Sequence, residues 1–111
     1  MKPILPSLRE RKRYMAYEII SNESHAFENA ARAINESYRQ LFGEQGMAEA
    51  NISAMKADFH DNKGIIRMNH KATDRAKMAI AMIKNIGKSK ATARSTTVSG
   101  TLKKAKSKLK R

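Results

Sequence analysis

Apolar residues in this chain change their spacing four times, and the order of those changes leaves few folds open. Residues 13–21 (RYMAYEIIS) place Met15, Tyr17 and Ile19 on one parity and Tyr14, Ala16 and Glu18 on the other. That is the two-residue period of a strand with its first face buried. From Ser24, which suits an N-cap, Phe27, Ala30, Ala31, Ile34, Tyr38 and Leu41 recur at helical spacing, and Gly43 stands where a C-cap glycine belongs. Residues 47–60 read as extended, with a slip: Ala48, Ala50 and Ile52 share one parity, Met55, Ala57 and Phe59 the other. A bulge near Ser53, or a strand starting there, reconciles them. Residues 58–64 (DFHDNKG) have hairpin-turn composition, with Asn and Gly able to take positive φ, and 65–70 (IIRMNH) resume as an antiparallel neighbour. Thr73 then caps a second helix striped by Ala76, Ala79, Ile80, Ile83 and Ile86 and ended by Gly87, and residues 91–98 (ATARSTTV) are extended.

The resulting β-α-β-β-α-β order predicts an α+β, ferredoxin-like fold. Two right-handed crossovers put both helices on one face of a four-stranded antiparallel sheet and leave the other face available for a ligand. At 111 residues and 41% apolar content there is room for one core and not for two. The expected division is a basic N-terminal arm at 1–12, which holds both prolines, a single domain at 13–100, and a Lys-rich tail at 101–111. In the tail Leu102, Ala105 and Leu109 are spaced i, i+3, i+7 among six cations, so it is expected to be disordered alone and helical on a partner.

Charge is divided as unevenly as the periods are regular. Residues 1–74 carry eleven Lys or Arg against ten Asp or Glu, whereas 75–111 carry twelve Lys or Arg and no acid, for a net charge of +13. A segment that repels itself this strongly is matched to a polyanion, and counterion release makes such binding steeply salt-dependent, with log K falling by roughly 0.7–0.9 per phosphate neutralised. RNA or DNA is the partner this implies. The chain has no cysteine, which excludes disulfides, thiolate zinc sites and Cys nucleophiles. The first residues lack the apolar stretch of a signal peptide and no run reaches the roughly 18 apolar residues of a membrane span, so a cytoplasmic protein is expected. Without a lipidation site or aromatic anchor, a membrane-surface role is the weaker use of so basic a tail.

His60 clusters with Asp58 and Asp61, but a solvated turn accounts for them better than a metal site, which needs three or four convergent ligands. Nothing resembles a nucleophile with its base, so no catalytic residue and no cofactor are expected on this chain. An RNA recognition motif would carry stacking rings on its third strand. Lys63 and Gly64 begin that pattern, but Ile65 and Arg67 occupy the ring positions. Arg67, Asn69 and His70 are therefore either ordinary strand residues or contacts to phosphates and riboses. Ser99, Gly100 and Thr101, followed by Lys103 and Lys104, form a small-residue junction leading into a helix, where a phosphate can approach backbone N–H groups; an ordinary turn and cap is the plainer reading. Arg9, Arg11, Lys12 and Arg13 offer a backbone clamp, or a solvated arm.

With these segments in place, the chain resembles the archaeal ribonuclease P protein component 2 family, whose eukaryotic counterpart, of the POP-five family, is a subunit of ribonuclease P and MRP. The carriers are Leu5-Pro6-Ser7-Leu8-Arg9 leading into Lys12-Arg13-Tyr14, Tyr17-Glu18-Ile19-Ile20-Ser21, Lys63-Gly64-Ile65-Ile66-Arg67-Met68-Asn69-His70, and Val98-Ser99-Gly100-Thr101-Leu102-Lys103-Lys104-Ala105. The resemblance implies a non-catalytic subunit that binds and stabilises the catalytic RNA for 5′-leader removal from precursor tRNA, with Mg²⁺ held by the RNA. Its implied partners are ribonuclease P RNA, the TIM-barrel protein subunit and a second copy of the chain within a heterotetramer, with precursor tRNA met at most indirectly. Its implied RNA contacts are Arg9, Arg13, Arg67, Asn69, His70, Ser99, Gly100, Thr101, Lys103 and Lys104; the basic residues Arg11, Lys12 and Lys63 complete the candidate set. A ribosomal or other structural RNA-binding protein is the rival reading, and an acylphosphatase-like enzyme on the same topology lacks its Gly-rich loop here.

Overall fold

The computed structural model describes residues 11–109, and within them β1 (Lys12–Ile20) is the strand around which everything else is arranged. It is followed by α1 (Phe27–Ala50), β2 (Ser53–Ala54), a 3-10 turn at Lys56–Asp58, β3 (Lys63–Asn69), a second 3-10 turn at His70–Ala72 and α2 (Thr73–Ala81). The chain closes with a small hairpin of β4 (Asn85–Ile86) and β5 (Ser89–Lys90), then β6 (Thr92–Ser99) and α3 (Leu102–Leu109). The main sheet has the order β2-β3-β1-β6 with every neighbouring pair antiparallel, the arrangement expected of the split βαβ fold. Met15, Tyr17 and Ile19 turn one face of β1 toward the helices, where Ile66 and Met68 of β3 join them against Ala30, Ile34 and Tyr38 of α1 and Ala76, Ala79 and Ile80 of α2.

The second face of the sheet is not left open. Ala16 and Ile65 are as buried as the main core, because Ala105 of α3 sits on them with Tyr14, Met55 and Leu102 around the contact. The tail expected to order only on a partner thus forms a helix within the chain, and its apolar i, i+3 pair has an intramolecular seat. Lys106 reaches across to Asp58, 3.4 Å away, and ties the helix to the β2–β3 connection.

Several boundaries move for identifiable reasons. Gly43 does leave helical geometry (φ 76, ψ 177), but the chain re-enters the helix at once and runs to Ala50, ending on Asn51 in the left-handed region, whose N–H bonds the Met47 carbonyl at 3.0 Å. Residues 47–50 are therefore helical rather than extended, and the slip in alternation was helical spacing; the strand starts at Ser53 and is two residues long. Helix α1 begins at Phe27 with Ala26 as its N-cap, not Ser24, and Leu41 of the expected stripe is exposed while Phe42 packs on Tyr38. Helix α2 stops at Ala81; Ile83 and Ile86 remain buried because the chain folds back through the β4–β5 hairpin, with Gly87 at φ 62 in its turn.

The turn before β3 takes positive φ at Asp61 and Asn62, as a two-residue hairpin requires. Asn62 also fastens the approach to α1: its Oδ1 accepts from the His25 N–H at 2.9 Å and its Nδ2 donates to the Glu23 carbonyl at 2.8 Å. Gly64 is not a turn residue but a strand residue, where a Cβ would stand 2.6 Å from the Tyr17 hydroxyl. A bulge in β6 leaves Thr96 without a partner across the ladder, between Thr97 opposite Ala16 and Ser95 opposite Tyr17, and the Thr96 hydroxyl donates to the Ala16 carbonyl at 3.2 Å instead.

Candidate nucleic-acid interface

Because β1 runs antiparallel to both neighbours, the start of β1 and the ends of β3 and β6 meet at one end of the sheet, and most of the candidate residues are there. Lys12 lies opposite Asn69, and Tyr14 lies between Arg67 on one side and Ser99 on the other. The His70 N–H bonds the Arg11 carbonyl at 2.8 Å, which holds the entering arm against the departing strand. The Arg13 guanidinium donates to the Lys12 carbonyl at 3.2 Å, and its Nη1 stands 3.7 Å from where a Cβ on Gly100 would be, so the missing side chain there keeps the Arg13 head uncovered. Thr101 opens α3, its hydroxyl oxygen accepting from the Lys104 N–H at 3.3 Å, and Lys103 and Lys104 are exposed on the first turn that follows. Arg11, Lys12, Arg13, Arg67, Asn69, His70, Ser99, Gly100, Thr101, Lys103 and Lys104 thus belong to one end of the molecule.

Lys63 does not. It starts β3, whose far end is six residues on, so it stands about 20 Å from Asn69 at the strand's ~3.3 Å rise. Its neighbour in the ladder is Glu18, already paired with Arg94 at 3.0 Å. Arg9 lies outside the described residues.

Electrostatics favour the same end. The ion pairs among the described residues join Arg39 to Glu44, Lys56 to Glu28, Arg94 to Glu18 and Lys106 to Asp58; Arg11, Arg13, Arg67, Lys103 and Lys104 are in none of them. Glu28, at the start of α1, titrates lower than an ordinary carboxyl because its own backbone N–H and then Lys56 favour the charged form. Two buried donor or acceptor atoms at this end, Arg67 Nε and His70 Nδ1, have no hydrogen-bond partner among the described residues. Buried polar atoms are rarely left so, since each costs on the order of 1–3 kcal/mol. Among the described residues no group of three or more His, Asp or Glu side chains could hold a metal ion, and no helix is long and apolar enough to cross a membrane.

Sequence reasoning missed Tyr14, Lys71 and Arg75. The signal for Tyr14 was its parity with Ala16 and Glu18, which puts the one ring of that strand face directly beside Arg67. The cations at 71 and 75 precede and open α2 from the same end of the sheet, beyond the segment in which the strand pattern drew attention.

Residues 13–110 match the family model described as Rpp14/Pop5 family. The chain belongs to the Rpp14/Pop5 family. This Rpp14/Pop5 chain is 33% identical over 105 residues to ribonuclease P protein component 2 of Methanosarcina mazei, covering 95% of this chain and 89% of that one. It is 34% identical over 109 residues to the protein of the same name from Archaeoglobus fulgidus, covering 97% and 96%. Among solved structures it is similar to a chain in a cryo-EM structure of yeast ribonuclease MRP, with a TM-score of 0.66 over 92% of this chain and 88% of that one; at 18% identity the likeness speaks for the fold. The family match extends through α3, so the helix laid over the second sheet face falls within the shared region.

Proposed function

We propose that this chain is a non-catalytic protein subunit of ribonuclease P, acting in the cytoplasm, that binds the catalytic RNA and stabilises it for 5′-leader removal from precursor tRNA. The relatives that share its length carry that name. The observation that carries the reading is the convergence of Arg11, Arg13, Arg67, Lys103 and Lys104 at one end of the sheet; among the described residues none of them is in an ion pair, and the buried Arg67 Nε and His70 Nδ1 have no hydrogen-bond partner. A phosphate oxygen would accept from Arg67 Nε, and from His70 Nδ1 in the tautomer that carries a proton there, and supply the counter-charge. The RNA and its Mg²⁺ would perform the hydrolysis, with the TIM-barrel protein subunit as the protein partner and a second copy of this chain completing a heterotetramer. The deciding experiment is cleavage of precursor tRNA by the cognate ribonuclease P RNA at limiting Mg²⁺, with the TIM-barrel protein present throughout and this chain added or omitted. Stimulation that requires this chain is the expected result. No stimulation, with both proteins folded, would move the assignment to another structured RNA, such as that of the ribosome.

A further inference from the structure

Beside the strand end lies a cleft that shares only Asn69 with the candidate RNA contacts above. It has a volume of about 380 Å³, within the roughly 300–1,000 Å³ of small-molecule sites, and opens between the last turns of α1 and the first turn of α2. Tyr38, Gly46, Glu49, Asn69, Lys71 and Arg75 line it. Asn69 is nine-tenths buried. Its Oδ1 accepts from the Lys71 N–H at 3.3 Å, which fixes the amide and leaves Nδ2, two N–H donors, with no acceptor among the described residues. Arg75 is held over the Phe42 ring, 5.2 Å from its centroid, and stands beside the Tyr38 phenol, so its guanidinium is pre-positioned at the mouth. Lys71 is exposed at the same mouth.

An oriented amide donor in the lining, with the two cations Lys71 and Arg75 against the one carboxylate of Glu49, is the pattern for a ligand with one end that accepts hydrogen bonds and another that is anionic. A nucleotide extruded from an RNA strand has that polarity: every base edge carries an acceptor, and the phosphate follows at the backbone. We infer that this cleft takes one unpaired nucleotide of the bound RNA, with its phosphate on Lys71 and Arg75 and its base edge on Asn69 Nδ2. The inference rests on the reading of the chain as an RNA-binding ribonuclease P subunit and adds to it a pocket that recognises a single flipped unit rather than a helical backbone.

The test is NMR titration of the isotopically labelled full chain with adenosine 5′-monophosphate, adenosine and inorganic phosphate separately, following the Asn69 side-chain amide and the Gly46 backbone amide. Saturable shifts at both with the monophosphate in the millimolar range are expected, about tenfold weaker with adenosine or phosphate alone, and weakened about tenfold by Lys71→Gln, an exposed substitution that leaves the core untouched. Equal responses to phosphate and monophosphate, or none at Asn69, would overturn the inference. A parallel measurement of ribonuclease P RNA affinity for the Lys103→Ala/Lys104→Ala variant separates the two readings. A silent cleft with affinity still lost in that variant sinks the nucleotide pocket alone, and a silent cleft with no RNA affinity to lose sinks both.

Discussion

Tyr17 is fully buried at the centre of the sheet, and its hydroxyl has no hydrogen-bond partner among the described residues. Burial pushes its phenol well above the ordinary value of 10.0. Removing the oxygen should cost nothing: Tyr17→Phe is expected to leave the melting temperature unchanged or raise it by a few degrees, as an unsatisfied buried group is relieved. The same residue sets an alkaline limit. The folded state keeps a proton that the unfolded chain releases above pH 10.0, so the stability from the protonated phenol is complete below that pH and is lost as pH rises through the folded value. Chemical denaturation between pH 9 and 11 should therefore show a decline that Tyr17→Phe flattens. A smaller slope would remain from Tyr38, whose phenol burial also raises, against the opposing pull of Arg75. Gly64 faces the same hydroxyl. A Cβ there would lie 2.6 Å from the Tyr17 oxygen, 2.8 Å from Cζ and 2.9 Å from a Phe59 ring carbon, so Gly64→Ala should destabilise by about 1–3 kcal/mol in urea unfolding. At this scale the sequence was partly legible: Met15, Tyr17 and Ile19 follow from alternation, but Gly64 reads as a turn glycine until the register shows Tyr17 across from it.

At the level of elements, α3 decides how the sheet is used. Its seat is small, with Ala105 on Ala16 and Ile65, and a single ion pair joins the half-exposed Lys106 to the largely buried Asp58 carboxylate. Ala105→Glu would bury a charge on an apolar seat, and the expected outcome is loss of α3 alone: lower helical signal by circular dichroism and fast amide exchange for residues 102–109, with the remaining amides still protected. Collective unfolding of the whole chain in that variant would show α3 to be part of the cooperative core instead. Sequence periodicity found the amphipathic spacing of α3 but not its partner, because a two-residue spacing such as Ala16 and Glu18 reads as a polar face when one of its two members is charged. It likewise found that four segments pair into a sheet but overextended both ends of the second strand, since helical spacing in residues 47–50 and strand alternation after Ser53 share apolar residues at compatible positions. The β4–β5 hairpin was hidden inside the stripe of α2 for the same reason: Ile83 and Ile86 are buried whether a helix or a hairpin carries them.

For the molecule as a whole, the near-neutral portion and the basic C-terminal third share one core, and the basic third ends in a helix laid over the sheet. The candidate interface was legible as residue types, because Arg, Lys and small residues at the junctions of elements are what phosphate contact requires, but not as a surface, because only strand direction brings residues 11–13, 67–70 and 99–104 together and sends Lys63 to the opposite end. Lys103→Ala/Lys104→Ala leaves α3 and its seat intact. If both lysines meet phosphates, the salt dependence of ribonuclease P RNA binding should fall by about 1.4–1.8 in the slope of log K against log salt, and a slope equal to wild type would remove them from the interface. The bulge in β6 bears on a different risk. That strand is the longest free margin of the sheet, eight residues whose outward N–H and C=O groups could template the addition of another chain. By breaking the regular repeat midway, at Thr96, the bulge leaves no uninterrupted run of eight on which a copy could zip. The break guards the sheet margin against edge-to-edge pairing with another copy of the chain.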